Sequence, residues 1–279
     1  MRIPRWFAPL LSAVLLLAAA DGCALVAGKP GNDAVVLAAD GPGDTYELIQ
    51  RVLGNGTIEA PDQTHPGFGR HITEEYDAAL KKNVFAFHMH AAEDGDRAER
   101  KDRQRNEIKV FDGSPDGLKG FHGTTYVYEW KFYLDPGLQV TGMWTHFFQL
   151  KPVGGPDEGM PIITISAAAK HPGEKIEIRY CSGKPGGDKY EYVASADLVQ
   201  ATGVWLSARC RVKYGEKGRI EMTVKKPDGT VVLEYHATNL NLWRKDCQFV
   251  RPKWGIYRGL AEGLRDEKVL FADFVITKE

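Results

Sequence analysis

The sequence predicts an all-β protein, a two-sheet sandwich of the jelly-roll kind, on three observations. It carries 12 Phe, 11 Tyr and 6 Trp, residue types that favour a pleated, half-buried surface. Its 30 Gly and 15 Pro supply the turns that many short strands need. Between those turns apolar and polar residues alternate with period two, and no internal repeat is present. A 43% hydrophobic content and a net charge of −1 exclude a disordered chain and an electrostatic nucleic-acid binder. The 279 residues need no second folded domain.

Residues 1–22 read as an export signal: Arg2 and Arg5 are basic, and residues 7–20 are an apolar run too short to span a bilayer comfortably. Ala18, Ala19 and Ala20 suit a signal-peptidase site, while Gly22-Cys23 offers a lipoprotein junction with a lipid anchor on Cys23. A bacterial periplasmic, extracellular or outer-membrane lipoprotein location is therefore expected. No other segment reads as a membrane span. Residues 23–43, rich in Gly, Pro, Ala and Asp, read as a flexible linker, and the folded domain is expected over 44–279, acting as a monomer. Helices are expected at 45–52 and 73–81. Strands are expected at 84–90, 105–111, 125–134, 143–151, 162–168, 175–181, 204–214, 220–225, 231–236, 253–258 and 269–277. Cys181, Cys210 and Cys247 remain after export, and either one bridge with a free thiol or three buried thiols would satisfy them.

Alternation sorts each strand into a core face and an open face. His88 and His90 fall together opposite Phe85, Phe87 and Met89. Arg105, Glu107 and Lys109 share a face, with Ile108 and Val110 inward. Gln149 and Lys151 lie opposite His146, which joins them only if a bulge intervenes. Lys253, Gly255 and Tyr257 share a face. Four strands would thus offer His, Arg, Glu, Lys, Gln and Tyr to one surface.

A cationic groove carrying Tyr and His suits β-elimination from an anionic, uronate-containing polysaccharide. Gln149 or Arg105 would hydrogen-bond the uronate carboxylate and stabilise the enolate-like transition state. A His or an ionised Tyr would take the C5 proton, and Tyr257 would protonate the leaving oxygen. Lys253, two alternate positions from Tyr257 along the strand, would favour its phenolate. Lys109, Lys151 and Arg103 add positive charge for substrate, and Glu107 orients Arg105.

The runs Arg105-Asn106-Glu107-Ile108-Lys109 and Lys253-Trp254-Gly255-Ile256-Tyr257, with the strand that carries Gln149, resemble the three strand motifs of jelly-roll polysaccharide lyases, the group that includes alginate, glucuronan and heparin lyases. The resemblance extends from residue 70 onward, and Lys-x-Gly-x-Tyr is its most specific part. It implies a concave groove, an Arg and a Gln near the substrate carboxylate, and Tyr257 as acid. The alginate-lyase pattern Gln-x-His is absent, because Gln149 is followed by Leu150 and Lys151. That departure favours a glucuronate substrate and leaves the base open among His88, His90, His146 and Tyr257.

Each of these residues also has a structural reading. His146 amid Trp144, Phe148 and Leu150 reads as a core histidine, and Arg105, Glu107 and Lys109 as a solvated face with cross-strand ion pairs. The charged stretch 93–105 reads as a solvated loop. No redox or nucleotide cofactor is required. A structural calcium at Asp273, with Asp44 or Glu47 in reach, is compatible with a carboxylate donor set. His88-Met89-His90 gives too few ligands for zinc. There is no GxSxG, HExxH, Walker A or GxGxxG at a strand-helix junction. The competing functions are a glycoside hydrolase and a carbohydrate-binding module, the latter using Tyr126, Tyr128, Trp130 and Trp243 as stacking platforms.

Overall fold

Period-two alternation commits a chain to strands that each bury one face, and the protein resolves this by stacking two antiparallel sheets. The structure, a computed structural model, describes residues 34–96, 100–170, 172–183 and 190–279. The expected export signal and the Cys23 junction lie outside the described residues. The strands are β1 (Ala34–Leu37), β2 (Ile58–Glu59), β3 (Ile72–Asp77), β4 (Lys82–Met89), β5 (Arg103–Lys109), β6 (Thr125–Leu134), β7 (Thr145–Val153), β8 (Ile163–Ala169), β9 (Glu174–Tyr180), β10 (Glu191–Asp197), β11 (Trp205–Lys213), β12 (Gly218–Lys225), β13 (Val231–Leu240), β14 (Phe249–Gly259) and β15 (Glu267–Lys278). The first sheet runs β13-β12-β11-β6-β15-β4-β3, with β1 also on β15, and the second runs β10-β9-β8-β7-β14-β5-β2.

The core lies between the two sheets. Trp130 of β6 stacks on Phe148 of β7 with ring centroids 4.4 Å apart, and Trp254 of β14 packs against Phe274 of β15 at 5.2 Å. Each such ring contributes roughly 1.5–3 kcal/mol on burial. Helix α1 (Thr45–Leu53) buries Leu48, Ile49 and Leu53, and its Glu47 and Arg51 stand at the ends where the helix dipole favours them.

Four expectations change. The segment expected as a second helix forms β3, because pairing with β4 outweighs local propensity; Lys81, at φ +55°, sits in the turn between them. Residues 34–37, inside the stretch expected as linker, form β1 and pair with β15, Leu37 opposite Phe274. Strand β10 was not anticipated; it is an edge strand whose sequence lacks a buried apolar face. The stretch 93–105 is not merely solvated, since Asp94, Asp96, Gln104 and Arg105 are buried. Cys181, Cys210 and Cys247 are three buried free thiols. Among the described residues no helix is long and apolar enough to cross a membrane.

Candidate active site

The second sheet sets the site by register. Strand β14 lies between β5 and β7, so Tyr257 stands opposite Arg105 on one side and His146 on the other. His146 in turn faces Ser166 of β8. A second row runs Lys109, Lys253, Gln149, Thr164 and Arg179 across five strands. Simple alternation would turn His146 away from Gln149. A bulge reverses this, because Phe148 pairs with Ile165 while His146 pairs with Ser166, leaving Phe147 as the extra residue on β7. Phe147 and Phe148 both enter the core, and His146 and Gln149 both face the groove. The core-histidine reading is thereby corrected: His146 is buried, but it lines the groove.

Strand β14 carries its own irregularity between Trp254 and Tyr257. Gly255, at φ +147°, lies opposite Glu107, and a Cβ there would stand 2.1 Å from the Asn106 carbonyl oxygen. Only glycine lets β14 approach β5 closely enough to bring Lys253 onto Glu107. Gly255→Ala is expected to cost at least about 2 kcal/mol of stability, measured by denaturant unfolding.

Beneath the groove is a buried charge network. Arg105 donates from Nε and Nη2 to Asp96, at 2.9 and 3.0 Å, and from Nη1 to Glu107 at 2.7 Å and Glu59 at 3.3 Å. Lys253 Nζ lies 2.6 Å from both Glu59 and Glu107, and Lys109 Nζ donates to Glu59 at 2.8 Å. Gln149 donates from Nε2 to Glu107. Burial alone would raise the Glu59 carboxyl, but Lys253, Arg105 and Lys109 hold it well below the usual carboxylate range.

The reacting groups sit above that network. The Arg105 guanidinium stacks 3.8 Å from the Tyr257 ring centroid, and Arg103 Nη1 donates to Tyr257 Oη at 2.8 Å. Burial raises Tyr257 above its ordinary value against the opposing pull of Arg105 and Arg103, so the phenol keeps its proton. The expected tuning by Lys253 is corrected, since its ammonium is held by Glu59 and Glu107 instead. Burial, and then the cations Arg179, Arg105, Lys151 and Lys253, push His146 well below its ordinary value and keep it neutral. Ser166 Oγ lies 2.7 Å from His146 Nδ1, which directs Nε2 to other partners.

The groove has a volume of about 730 Å³. Its described wall counts eight Lys and Arg against three Asp and Glu, an excess that favours an anionic ligand. Arg251 leaves Nε and Nη1 without a hydrogen-bond partner among the described residues. Lys151 donates to the Glu158 and Gly159 carbonyls, and burial, with Lys253, Arg105 and Arg251 nearby, lowers its ammonium to about 7.

Of the expected residues, Arg103, Arg105, His146, Gln149, Lys151, Lys253 and Tyr257 line the groove, and Glu107 and Lys109 support it through the network. His88 and His90 do not line it. Strand β4 belongs to the first sheet; His88 Nε2 pairs with Thr73 Oγ1 at 2.8 Å, and His90 contacts Asp94. Asp273, expected as a calcium ligand, pairs with Lys82 and Lys131, and Glu47 pairs with Arg70. Of the stacking platforms expected of a binding module, Tyr126, Tyr128 and Trp130 are core residues, and Trp243 is partly buried against the core. Sequence reading missed Glu59, Asp96, Trp144, Arg179, Tyr190, Tyr192 and Arg251. Arg179 could have been found, as a cation on the open face of the strand expected at 175–181, whereas Arg251 lies two residues before the strand expected at 253–258.

The two-sheet antiparallel sandwich is the fold of jelly-roll polysaccharide lyases. The fold is similar to that of an endo-β-1,4-glucuronan lyase from the fungus Trichoderma reesei, with TM-score 0.52 and 14% identity over 74% of this chain and 85% of that one. It is similar to an alginate lyase from Aplysia kurodai, with TM-score 0.55 and 12% identity over 88% and 98%. It is also similar to the alginate lyase Aly36B, with TM-score 0.59 and 10% identity over 89% and 97%. A family model described as polysaccharide lyase matches residues 57–275, and the chain belongs to that family. No curated protein sequence matches the chain.

Proposed function

We propose that this polysaccharide lyase cleaves a glucuronate-containing polymer by β-elimination at the groove, with His146 as base and Tyr257 as acid. The observation that carries the reading is the pairing of a neutral, buried His146 with a protonated Tyr257, ring centroids 5.9 Å apart, under a wall of cations. A base must be unprotonated and an acid protonated at the working pH, and burial gives each group the required state. His146 Nε2 takes the C5 proton, the electron pair forms the C4–C5 double bond, the C4–O bond breaks, and Tyr257 Oη protonates the leaving oxygen. Gln149 keeps one amide hydrogen beyond its bond to Glu107, and Arg105 keeps one N–H beyond its four carboxylate contacts. Both are available to the uronate carboxylate, where preorganised donors stabilise the enolate-like charge. The reaction so drawn needs no redox or nucleotide cofactor. Arg251 and Lys151 would hold neighbouring uronates.

Glucuronate is favoured because Lys151 stands where alginate lyases of this shape carry histidine. Arg2, Arg5 and the apolar run at 7–20 support export, which would bring a monomeric enzyme to an extracellular polymer. The test is to incubate the protein with glucuronan, alginate, heparin, chondroitin and pectin-like polymers and follow the ultraviolet absorbance of the unsaturated uronate. A rise strongest on glucuronan is expected; no rise on any polymer would overturn the reading.

A pH dependence follows from Lys151. Its ammonium is charged below about pH 7 and neutral above, so binding of an anionic polymer weakens as pH rises through that value. The free-enzyme parameter kcat/KM is expected to fall on that alkaline limb. Lys151→Arg should remove the limb from the neutral range, and an unchanged profile would exclude Lys151 from substrate binding.

A further inference from the structure

A second constellation stands apart from the groove. His65 follows a short 3-10 turn, His71 precedes β3, His90 follows β4, and Asp94 lies in the next turn. One donor atom from each lies within 4.8 Å of all the others. His65 Nδ1 is 2.9 Å and His71 Nε2 3.1 Å from Asp94 Oδ1, and His90 Nδ1 is 3.4 Å from the same oxygen. His71 Nε2 and His65 Nδ1 face each other at 3.5 Å. In a tetrahedral zinc site with metal-nitrogen bonds of about 2.0–2.1 Å, neighbouring ligand atoms are about 3.3 Å apart. These separations are close to the edges of such a tetrahedron.

A hydrogen-bonded polar cluster is the competing explanation, and two features decide against it. Three imidazole nitrogens crowd onto one carboxylate, His65 and His71 on Oδ1 and His90 Nδ1 between Oδ1 and Oδ2 at 3.4 and 3.2 Å, and the His65 and His71 nitrogens face each other at 3.5 Å, where two N–H groups would repel. The other ring nitrogen of His71 is also held: Asp62 Oδ1 lies 2.9 Å from Nδ1, and the Tyr46 hydroxyl donates to Asp62. That is the carboxylate-histidine support that fixes a metal-binding imidazole with its free nitrogen toward the ion. The Phe68 ring, with centroids 5.9, 4.8 and 4.2 Å from those of His65, His71 and His90, gives the cluster an apolar cover. Three imidazoles and one carboxylate suit zinc, whereas calcium takes an all-oxygen set.

We propose that His65, His71, His90 and Asp94 bind one structural zinc ion. With four protein ligands the coordination sphere is closed, so the ion would serve folding rather than catalysis. Its consequence for the enzyme passes through the turn it fastens. Gln104 Nε2 donates to the carbonyls of His90, Ala91 and Asp94, the Arg105 amide donates to the Gly95 carbonyl, and Asp96 grips the Arg105 guanidinium. A cation at Asp94 would thus brace the turn that positions Arg105.

The test measures zinc directly and does not depend on the substrate or on the assignment of the base. Chelator-stripped protein is titrated with zinc against a chromophoric chelator, and thermal unfolding is followed with and without the metal. One zinc per chain and a raised melting temperature are expected. His65→Ala and His90→Ala, at partly exposed positions that the fold should tolerate, are expected to lose stoichiometric binding and the thermal shift. Asp62→Asn should weaken zinc affinity by about 10–100-fold. His122→Ala, at an exposed pair with Glu216, should bind as the natural protein does. Failure of the stripped protein to take up zinc, or unchanged binding in His65→Ala and His90→Ala, would overturn the proposal.

Discussion

Tyr257→Phe is expected to lower kcat by about 10²–10⁴ while KM and melting temperature stay close to those of the natural protein. The phenol hydroxyl touches Arg103 at 2.8 Å, and the ring rests on Arg105. Phe keeps the ring, its burial and its cation-π contact, so what is lost is the proton the leaving oxygen requires. A hydrogen bond to Arg103 is lost too, but that arginine retains its contacts with Asp102. Steady-state kinetics on glucuronan separates the two effects, because loss of packing would raise KM and lower stability together. Near-normal turnover in the variant would remove Tyr257 from the chemistry.

The second large effect is on folding. Glu107→Ala is expected to destabilise the protein by about 3–5 kcal/mol, the usual result of removing one partner from a buried charge cluster. The Glu107 side chain is fully buried and is shared by Arg105, Lys253 and Gln149. Glu59 and Asp96 remain in the variant, but Lys253 would keep only one of its two carboxylates. Glu107→Gln preserves shape without the charge and should fall between the natural protein and the alanine variant. Urea unfolding measures the order, and an alanine variant of natural stability would show that the cluster does not depend on Glu107. Activity should fall in both variants, since Gln149 and Arg105 are aimed by this carboxylate.

What the sequence revealed and what it hid divide along physical lines. Strands with one apolar face were legible, and β6 formed over the expected residues 125–134. The open faces of β5 and β14 were legible for the same reason, which placed Arg105, Glu107, Lys109, Lys253 and Tyr257 together. His146 was not, because a single extra residue at Phe147 inverts the alternation and nothing in the local sequence marks it. His88 and His90 were assigned to the groove because alternation gives the face of a strand but not the sheet it joins; β4 joins the other sheet. Glu59 and Asp96 reach Arg105 from a two-residue strand and a turn, elements too short to carry a periodic signal. The zinc ligands escaped likewise: His65, His71 and Asp94 sit in or beside loops, and only the packing of two chain segments brings them to His90.

Elimination and hydrolysis of the same polymer differ by one water molecule per cut. Hydrolysis inserts water at every cut, whereas β-elimination breaks the C4–O bond without water and leaves a double bond. The most direct measurement is therefore cleavage of glucuronan in heavy-oxygen water, with the new chain ends read by mass spectrometry. The groove chemistry of His146 and Tyr257 predicts unsaturated ends with no heavy oxygen incorporated at the moment of cleavage, and no such ends with Tyr257→Phe over the same interval. Saturated ends carrying one heavy oxygen per cut would contradict it.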